Sequence, residues 1–369
     1  MINTGATDMP DTADLLSATA LLVNIPSESH HEHAITDHIE ARLRAVPWLE
    51  VHRVGTNVIA RTNFGRSMRL ILAGHTDTVP ANGNEVALIE GDVLHGLGSA
   101  DMKSGLAVFL HVLETVAEPA VDLTGVFYEC EEVAAIHNGL AKVFATHPHL
   151  LQGDAAILGE PTNARIEAGC QGTMRAVLRL GGTRSHTARP WMGRNAIHRL
   201  ATVLGRFDVF EAAGGRQPTI DGCTYREAVQ AVKVDGGVAG NVVPDRVELT
   251  INHRFAPDRT PAEAEAFLRS LIGDDVLCDD ASLAVVDVAN GTPPSLTHPL
   301  LAGLQARIGL DPVAKLGWTD VAFFTAHGIP ATNFGPGDPT IAHTKGEFVP
   351  RSDMERARAV IVDLVTAGL

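Results

Sequence analysis

Apolar positions recur along the chain in two periods, and the change between them marks its organisation. Residues 11–23 and 31–45 carry helical spacing, the second with Ile35, Ile39 and Leu43 four apart. Short β-like runs follow at Asn57–Arg61 and Arg69–Ala73. Leu70-Ile-Leu-Ala73 is continuously apolar, as a strand buried on both faces should be. Leu123–Tyr128 and Asp154–Leu158 are read as further buried strands. Ahead of them, Leu106, Phe109, Leu110, Leu113 and Val116 share one helical face. From about Thr173 the pattern predicts strand 173–180, helix 193–212, strands 229–235 and 246–254, helix 260–273 and strand 282–288. That β-α-β-β-α-β order is the ferredoxin-like split motif. Its second helix opens on Thr260-Pro-Ala-Glu263, an N-cap, a first-turn proline and a capping-box glutamate. Near Gly291 the chain returns to the first domain, with a strand at Ala331–Phe334 and a last helix over 351–367. The expected fold is therefore α/β, with one domain built from 1–172 and 291–369 and a second, 173–290, inserted into it.

A chain of 369 residues has room for two domains, since single cores rarely grow past roughly 250–300 residues. Its 44 acidic residues outweigh 29 basic ones, and the net charge of −15 argues against nucleic acid or an anionic membrane surface as partner. No apolar run approaches the ~18 residues of a membrane span. Met1–Pro10 shows neither a basic nor an apolar leader segment, so no signal peptide is expected. Cys130, Cys170, Cys223 and Cys278 lie far apart without metal-binding spacing, and are read as reduced thiols of a cytoplasmic protein. Many of the 17 histidines, among them His30, His31, His33, His147 and His149, fall on helical or loop surfaces and are read as solvated.

The chemistry gathers at strand ends. The first buried strand runs into Gly74-His-Thr-Asp77, where His75 and Asp77, two apart, face one side. Asp77 is placed to hold the second imidazole nitrogen of a metal-bound His75. The next buried strand ends in Glu129-Cys-Glu-Glu132, and the third in Gly159-Glu-Pro-Thr162. Asp101 sits in Gly98-Ser-Ala-Asp-Met-Lys-Ser-Gly105, directly before a helix, and a turn-dense loop ends on His343. Each has a plain alternative: Asp101 as a helix cap, Glu131-Glu132 as a solvated acidic turn, Glu160 as a turn residue before proline. Taken together, with Asp101 between two cations, they compose a two-metal hydrolase site at the carboxyl ends of an open α/β sheet. One of the paired glutamates then binds metal and the other handles protons. His186, in the loop Arg184–Trp191, is a solvated residue unless something brings it to the metals.

These residues resemble the M20 family of co-catalytic zinc metallopeptidases and amidohydrolases, over nearly the whole chain from about Leu15 to Leu364. The resemblance is carried by His75-Thr-Asp77, Gly98–Gly105, Glu131-Glu132, Gly159-Glu-Pro-Thr162, and His343 with Glu347. It implies a zinc-peptidase-like catalytic domain with an inserted ferredoxin-like dimerisation domain, and a homodimer through that insert. His75, Asp101 and Glu160 would hold one Zn²⁺ and Asp101, Glu132 and His343 the other, Co²⁺ or Mn²⁺ being admissible at the second site. Glu131 would be the general base, Asp77 the orienter of His75, and His186 a residue that reaches the partner's site to steady the oxyanion. Asn241, Arg254 and Thr319 would contact substrate; for Arg254 the plain alternative is a structural ion pair. The expected reaction is hydrolysis of N-succinyl-LL-2,6-diaminopimelate to succinate and LL-diaminopimelate, in lysine and cell-wall precursor synthesis. Acetylornithine deacetylation, aminoacylase or peptidase activity is the alternative within the family. A non-catalytic binding protein on this scaffold would have lost a ligand or the base, and none is lost here. Two segments depart from the family pattern: Gly169-Cys-Gln-Gly-Thr173 stands where relatives carry a basic run, and Leu316-Gly-Trp-Thr-Asp320 where they carry Gly-Gly-Thr-Ser-Asp.

Overall fold

The computed structural model describes residues 14–278 and 280–367, so the amino-terminal segment read for a leader and the expected helical residues 11–13 lie outside it. In chain order the first elements are α1 (Leu15–Val23), α2 (His33–Arg44), β1 (Glu50–Val54), β2 (Asn57–Arg61), β3 (Arg69–His75), β4 (Leu88–Glu90), β5 (Val93–His95), α3 (Lys103–Thr115), β6 (Asp122–Tyr128), α4 (Gly139–Thr146), β7 (Ala155–Leu158) and β8 (Glu167–Ala168). Then come β9 (Gly172–Gly181), α5 (Leu200–Ala212), β10 (Thr219–Ile220), β11 (Cys223–Thr224), β12 (Ala228–Gly236), β13 (Arg246–Phe255), α6 (Pro261–Ile272) and β14 (Ala281–Ala289). The chain closes with α7 (Pro299–Ile308), β15 (Val313–Ala314), α8 (Val321–Ala326), β16 (Ala331–Asn333), β17 (Phe348–Pro350) and α9 (Arg351–Ala367). These elements form two compact units. One holds the described residues up to Ala168 with Ser295–Pro312 and those from Phe323 onward, and the other holds Gly169–Pro294 and Val313–Ala322.

The first unit is built on a sheet in which β1-β2-β6-β3-β7-β16-β8 lie side by side in that order. Its centre is parallel: β3 pairs with β6 and β7, and β16 with β7. Every residue of β6 and β7 is buried, as are Leu70–His75, which explains the unbroken apolar runs. α3 turns Leu106, Phe109, Leu110 and Leu113 inward, and each such side chain contributes roughly 1.5–3 kcal/mol by leaving water. Two glycines are dictated by closeness. A Cβ at Gly105, in the first turn of α3, or at Gly335, after β16, would collide with the carbonyl oxygen of Gly159. That contact sets the first turn of α3 and the start of the loop after β16 against the end of β7.

The second unit is an antiparallel sheet in the order β12-β13-β9-β14 with α5 and α6 laid on one face. Along β9, Met174, Ala176, Leu178 and Leu180 alternate with more exposed neighbours. They pack with Val247, Leu249 and Ile251 of β13, Val203 and Phe207 of α5, and Ala264, Leu268 and Ile272 of α6. The capping box of α6 forms as expected, Thr260 accepting from the Glu263 N–H and Glu263 from the Thr260 N–H. One expectation is corrected. No helix starts at 193, because Thr183 and Arg194 exchange backbone hydrogen bonds at 2.8 and 3.0 Å and hold that stretch extended. A single 3-10 turn, Ile197–Arg199, intervenes and α5 begins at Leu200.

Candidate metal centre

The parallel strands β3, β6, β7 and β16 end on one side of the first unit's sheet, and the candidate residues leave from those ends. His75 is the last residue of β3, Glu131 and Glu132 follow β6, Glu160 follows β7, and His343 lies in the loop between β16 and β17. Asp101 is delivered by the segment before α3. It does not cap that helix: the N-cap is Met102, with no side-chain bond, and the Asp101–Met102 peptide bond is cis.

Freed from capping, the Asp101 carboxylate faces two imidazoles. Its Oδ1 lies 3.1 Å from His75 Nε2 and its Oδ2 lies 3.4 Å from His343 Nε2. His343 Nε2 is also 2.8 Å from Glu132 Oε1. His75, Asp101 and Glu160 each offer one ligand atom within 4.8 Å of the others, and so do Asp101, Glu132 and His343, and His75, Glu131 and Glu132. The two imidazoles report how much negative charge has gathered. Burial alone would lower His75, yet bonds to Asp101 and Asp77 hold it well above its ordinary value. His343 is pushed up to about 10, first by Asp101 and then by Glu132. Burial works to raise Asp101, and the bonds from His343 and His75 overcome it and hold the carboxyl low.

Asp77 has a wider role than the spacing implied. His75 Nδ1 is 3.0 Å from the Asp77 backbone oxygen and 3.5 Å from its carboxylate, so the main chain shares in fixing the ring. The carboxylate itself accepts the Glu131 N–H at 2.9 Å, the Glu132 N–H at 3.1 Å and the Ser29 hydroxyl at 2.7 Å. One buried anion thus orients an imidazole and both glutamates, the kind of outer support that sets ligand geometry. Sequence reasoning missed Ser29, which has no pattern to flag it, and gave no task to Glu347. Glu347 Oε1 accepts the N–H groups of Ala100 and Asp101 at 2.9 and 3.0 Å, and burial raises its carboxyl to about 7. His343 and Cys130 adopt φ of 64° and 59°, left-handed conformations that cost about 1–3 kcal/mol each in non-glycine residues and collect at functional sites.

The remaining expected residues belong to the second unit. His186 is exposed, and its loop is tied to that of Asn241: the Thr187 N–H reaches the Asn241 oxygen at 3.1 Å and the Val243 N–H reaches Ser185 at 2.9 Å. Arg254 stands on β13 opposite Thr173, half-buried, and burial draws its guanidinium below the ordinary value. No ion pair holds it among the described residues, so the structural alternative for Arg254 finds no acid there. Thr319 is buried, its backbone oxygen accepting the Ala322 N–H at 3.2 Å and facing the Cys170 thiol at 3.7 Å.

The chain is similar to known proteins over most of its length. A family model described as Peptidase family M20/M25/M40 matches residues 71–367. The chain is 51% identical over 345 residues to the Mycobacterium tuberculosis protein named "Putative succinyl-diaminopimelate desuccinylase DapE", covering 93% of this chain and 96% of that one. It is 44% identical over 355 residues to the succinyl-diaminopimelate desuccinylase of Corynebacterium glutamicum, covering 94% and 95%. A tripeptidase structure from Staphylococcus aureus superposes with a TM-score of 0.79 at 21% identity, over 97% of this chain and 99% of that one, a likeness of fold.

Proposed function

As the chain belongs to peptidase family M20/M25/M40, we propose that it is a two-metal amidohydrolase that cleaves N-succinyl-LL-2,6-diaminopimelate to succinate and LL-diaminopimelate. The observation that carries the reading is Asp101, whose two carboxylate oxygens face His75 and His343 separately, as a bridge between two cations requires. The donor set fits such cations. It is all imidazole and carboxylate, which suits Zn²⁺ in an open catalytic site, with Co²⁺ or Mn²⁺ admissible at the second position. On this reading His75, Asp101 and Glu160 hold one ion, and Asp101, Glu132 and His343 the other. When bound, the pair supplies Lewis acidity and makes water a nucleophile near neutral pH.

The chain's own residues do the rest. Glu131 takes the proton of the attacking water on its carboxylate and passes it to the departing amine nitrogen. Asp77, by accepting the Glu131 and Glu132 N–H groups, keeps base and ligand in fixed relation. Arg254 offers a guanidinium that no ion pair holds among the described residues, suited to two-pronged recognition of a substrate carboxylate, with Asn241 and Thr319 as further contacts. Residues 173–290 act as the insert of a homodimer, and His186 steadies the developing oxyanion across the subunit boundary. Supporting this is β12, an edge strand exposed from Gln230 onward that shows Val232 and Val234 to solvent, the kind of edge a second copy covers. No helix among the described residues is long and apolar enough to cross a membrane, and a cytoplasmic setting accords with four unpaired cysteines. Removing metal with a chelator should abolish succinate release, and two equivalents of Zn²⁺ per chain should restore it. Asp101→Ala should bind neither ion tightly. Full activity in the chelated protein, or tight binding of one ion by Asp101→Ala, would contradict the shared site.

A further inference from the structure

Behind the loop of Glu131 lies a second convergence of donors that this chemistry does not use. Cys130 Sγ is 3.3 Å from Glu32 Oε1 and 3.4 Å from His30 Nδ1. Glu129 adds a carboxylate oxygen within 4.8 Å of the ligand atoms of Glu32 and Cys130. Cys130, Glu32 and Glu129 are buried, whereas His30 is exposed and marks the way in from solvent. The set comprises one sulfur, one nitrogen and two carboxylates, and shares no residue with the Asp101 centre.

The Cys130 distances to Glu32 and His30 suit a metal. Zinc bonds of about 2.3 Å to sulfur and 2.0–2.1 Å to nitrogen or oxygen, in a tetrahedron, put the ligand atoms about 3.5 Å apart. Without a metal the same distances describe a thiol donating to Glu32, whose Oε1 also accepts the N–H groups of His30 at 3.0 Å and Cys130 at 3.1 Å. That arrangement gathers two acids and a thiol around one point, with Lys142 paired to Glu129 at 2.6 Å. The lysine side chain is half exposed and can turn to solvent when a cation takes its place beside Glu129.

We propose that Cys130, His30, Glu32 and Glu129 form an accessory site for a thiophilic divalent cation of the zinc or cadmium kind, separate from the two-cation centre. On binding, the Cys130 S–H proton leaves to solvent and a sulfur–metal bond replaces it. The bound ion ties the segment 129–132, which carries both catalytic glutamates, to the start of α2.

Cadmium reports such a site directly, because cadmium–thiolate bonds absorb in the ultraviolet and the Asp101 centre contains no thiolate. The full chain, with its main sites filled by zinc, carries Cys278→Ser to remove the exposed thiol and is titrated with Cd²⁺. One further equivalent should bind with a thiolate band, which Cys130→Ser should abolish. His30→Asn, a change that tolerates the left-handed φ of 75° at this position, should weaken binding about tenfold or more. Circular dichroism establishes that each variant is folded, and should Cys130→Ser not fold, His30→Asn decides alone. Absence of the band in the Cys278→Ser protein, a band that survives Cys130→Ser, or unchanged affinity in His30→Asn would overturn the site and leave a hydrogen-bonded thiol.

Discussion

At the scale of single residues, the separation of tasks between Glu131 and Glu132 is the point most open to test. Both N–H groups are held by Asp77, and Glu132 also meets His343, at 2.8 Å. Glu131→Gln preserves size and the backbone contacts yet cannot accept a proton. Turnover should fall by roughly 10²–10⁴ while metal analysis still finds two ions per chain; loss of one ion would move Glu131 into the ligand set. Much of this site was legible in the sequence, because imidazoles and carboxylates placed just after buried apolar runs have few structural uses. Asp101 was the ambiguous one, since an acid before a helix is ordinarily a cap, and only the fold excludes that by giving the cap to Met102. Ser29 and the bonding of Glu347 were not legible. Both act through contacts between positions far apart in the chain, 48 residues from Ser29 to Asp77 and 246 from Asp101 to Glu347.

Among the elements, those with strong periodicity came out within a residue or two, and the helix expected at 193 did not, since a backbone bridge to Thr183 competes with it. Gly105 illustrates the other limit: its presence was plain, its reason is the carbonyl of Gly159 pressed against α3. β13 carries a feature with no sequence signal at all. His253 is fully buried beside Phe255 and Phe267, neither ring nitrogen finds a hydrogen bond among the described residues, and burial, helped by Arg259, lowers it to about 4. In the unfolded chain it titrates near 6.5, so below that value the unfolded state binds the extra proton. Stability is therefore unaffected above about pH 6.5, falls as pH drops towards 4, and the loss amounts to roughly 3 kcal/mol at its limit. His253→Leu should remove most of that acid sensitivity, read as hydrogen-exchange protection of β13 amides in the full chain at pH 7 and pH 5. Equal loss of protection in both proteins would assign the sensitivity elsewhere.

For the whole molecule, the proposed homodimer would make assembly part of catalysis. If His186 serves the partner's site, two inactive proteins should repair one another: subunits carrying His186→Ala and Glu131→Gln, once exchanged, give a heterodimer with one site that has both residues. Activity should return on mixing; its absence after verified exchange would confine His186 to its own subunit. Substrate choice is the other property of the whole. The proposed substrate carries three carboxylates and one free ammonium, against one carboxylate on acetylornithine. On the proposed reading, a protein of net charge −15 attracts the former through local donors such as Arg254. The basic run of other family members is replaced here by Gly169-Cys-Gln-Gly-Thr173, which is why sequence pattern spoke more firmly for amide hydrolysis than for the acyl group. The direct measurement is kcat/KM of the zinc-loaded wild-type protein on N-succinyl-LL-2,6-diaminopimelate and on N-acetylornithine, side by side. The expected result is a clear preference for the succinylated compound, whereas equal turnover or a preference for acetylornithine would contradict the assignment and leave a two-metal amidohydrolase of different specificity.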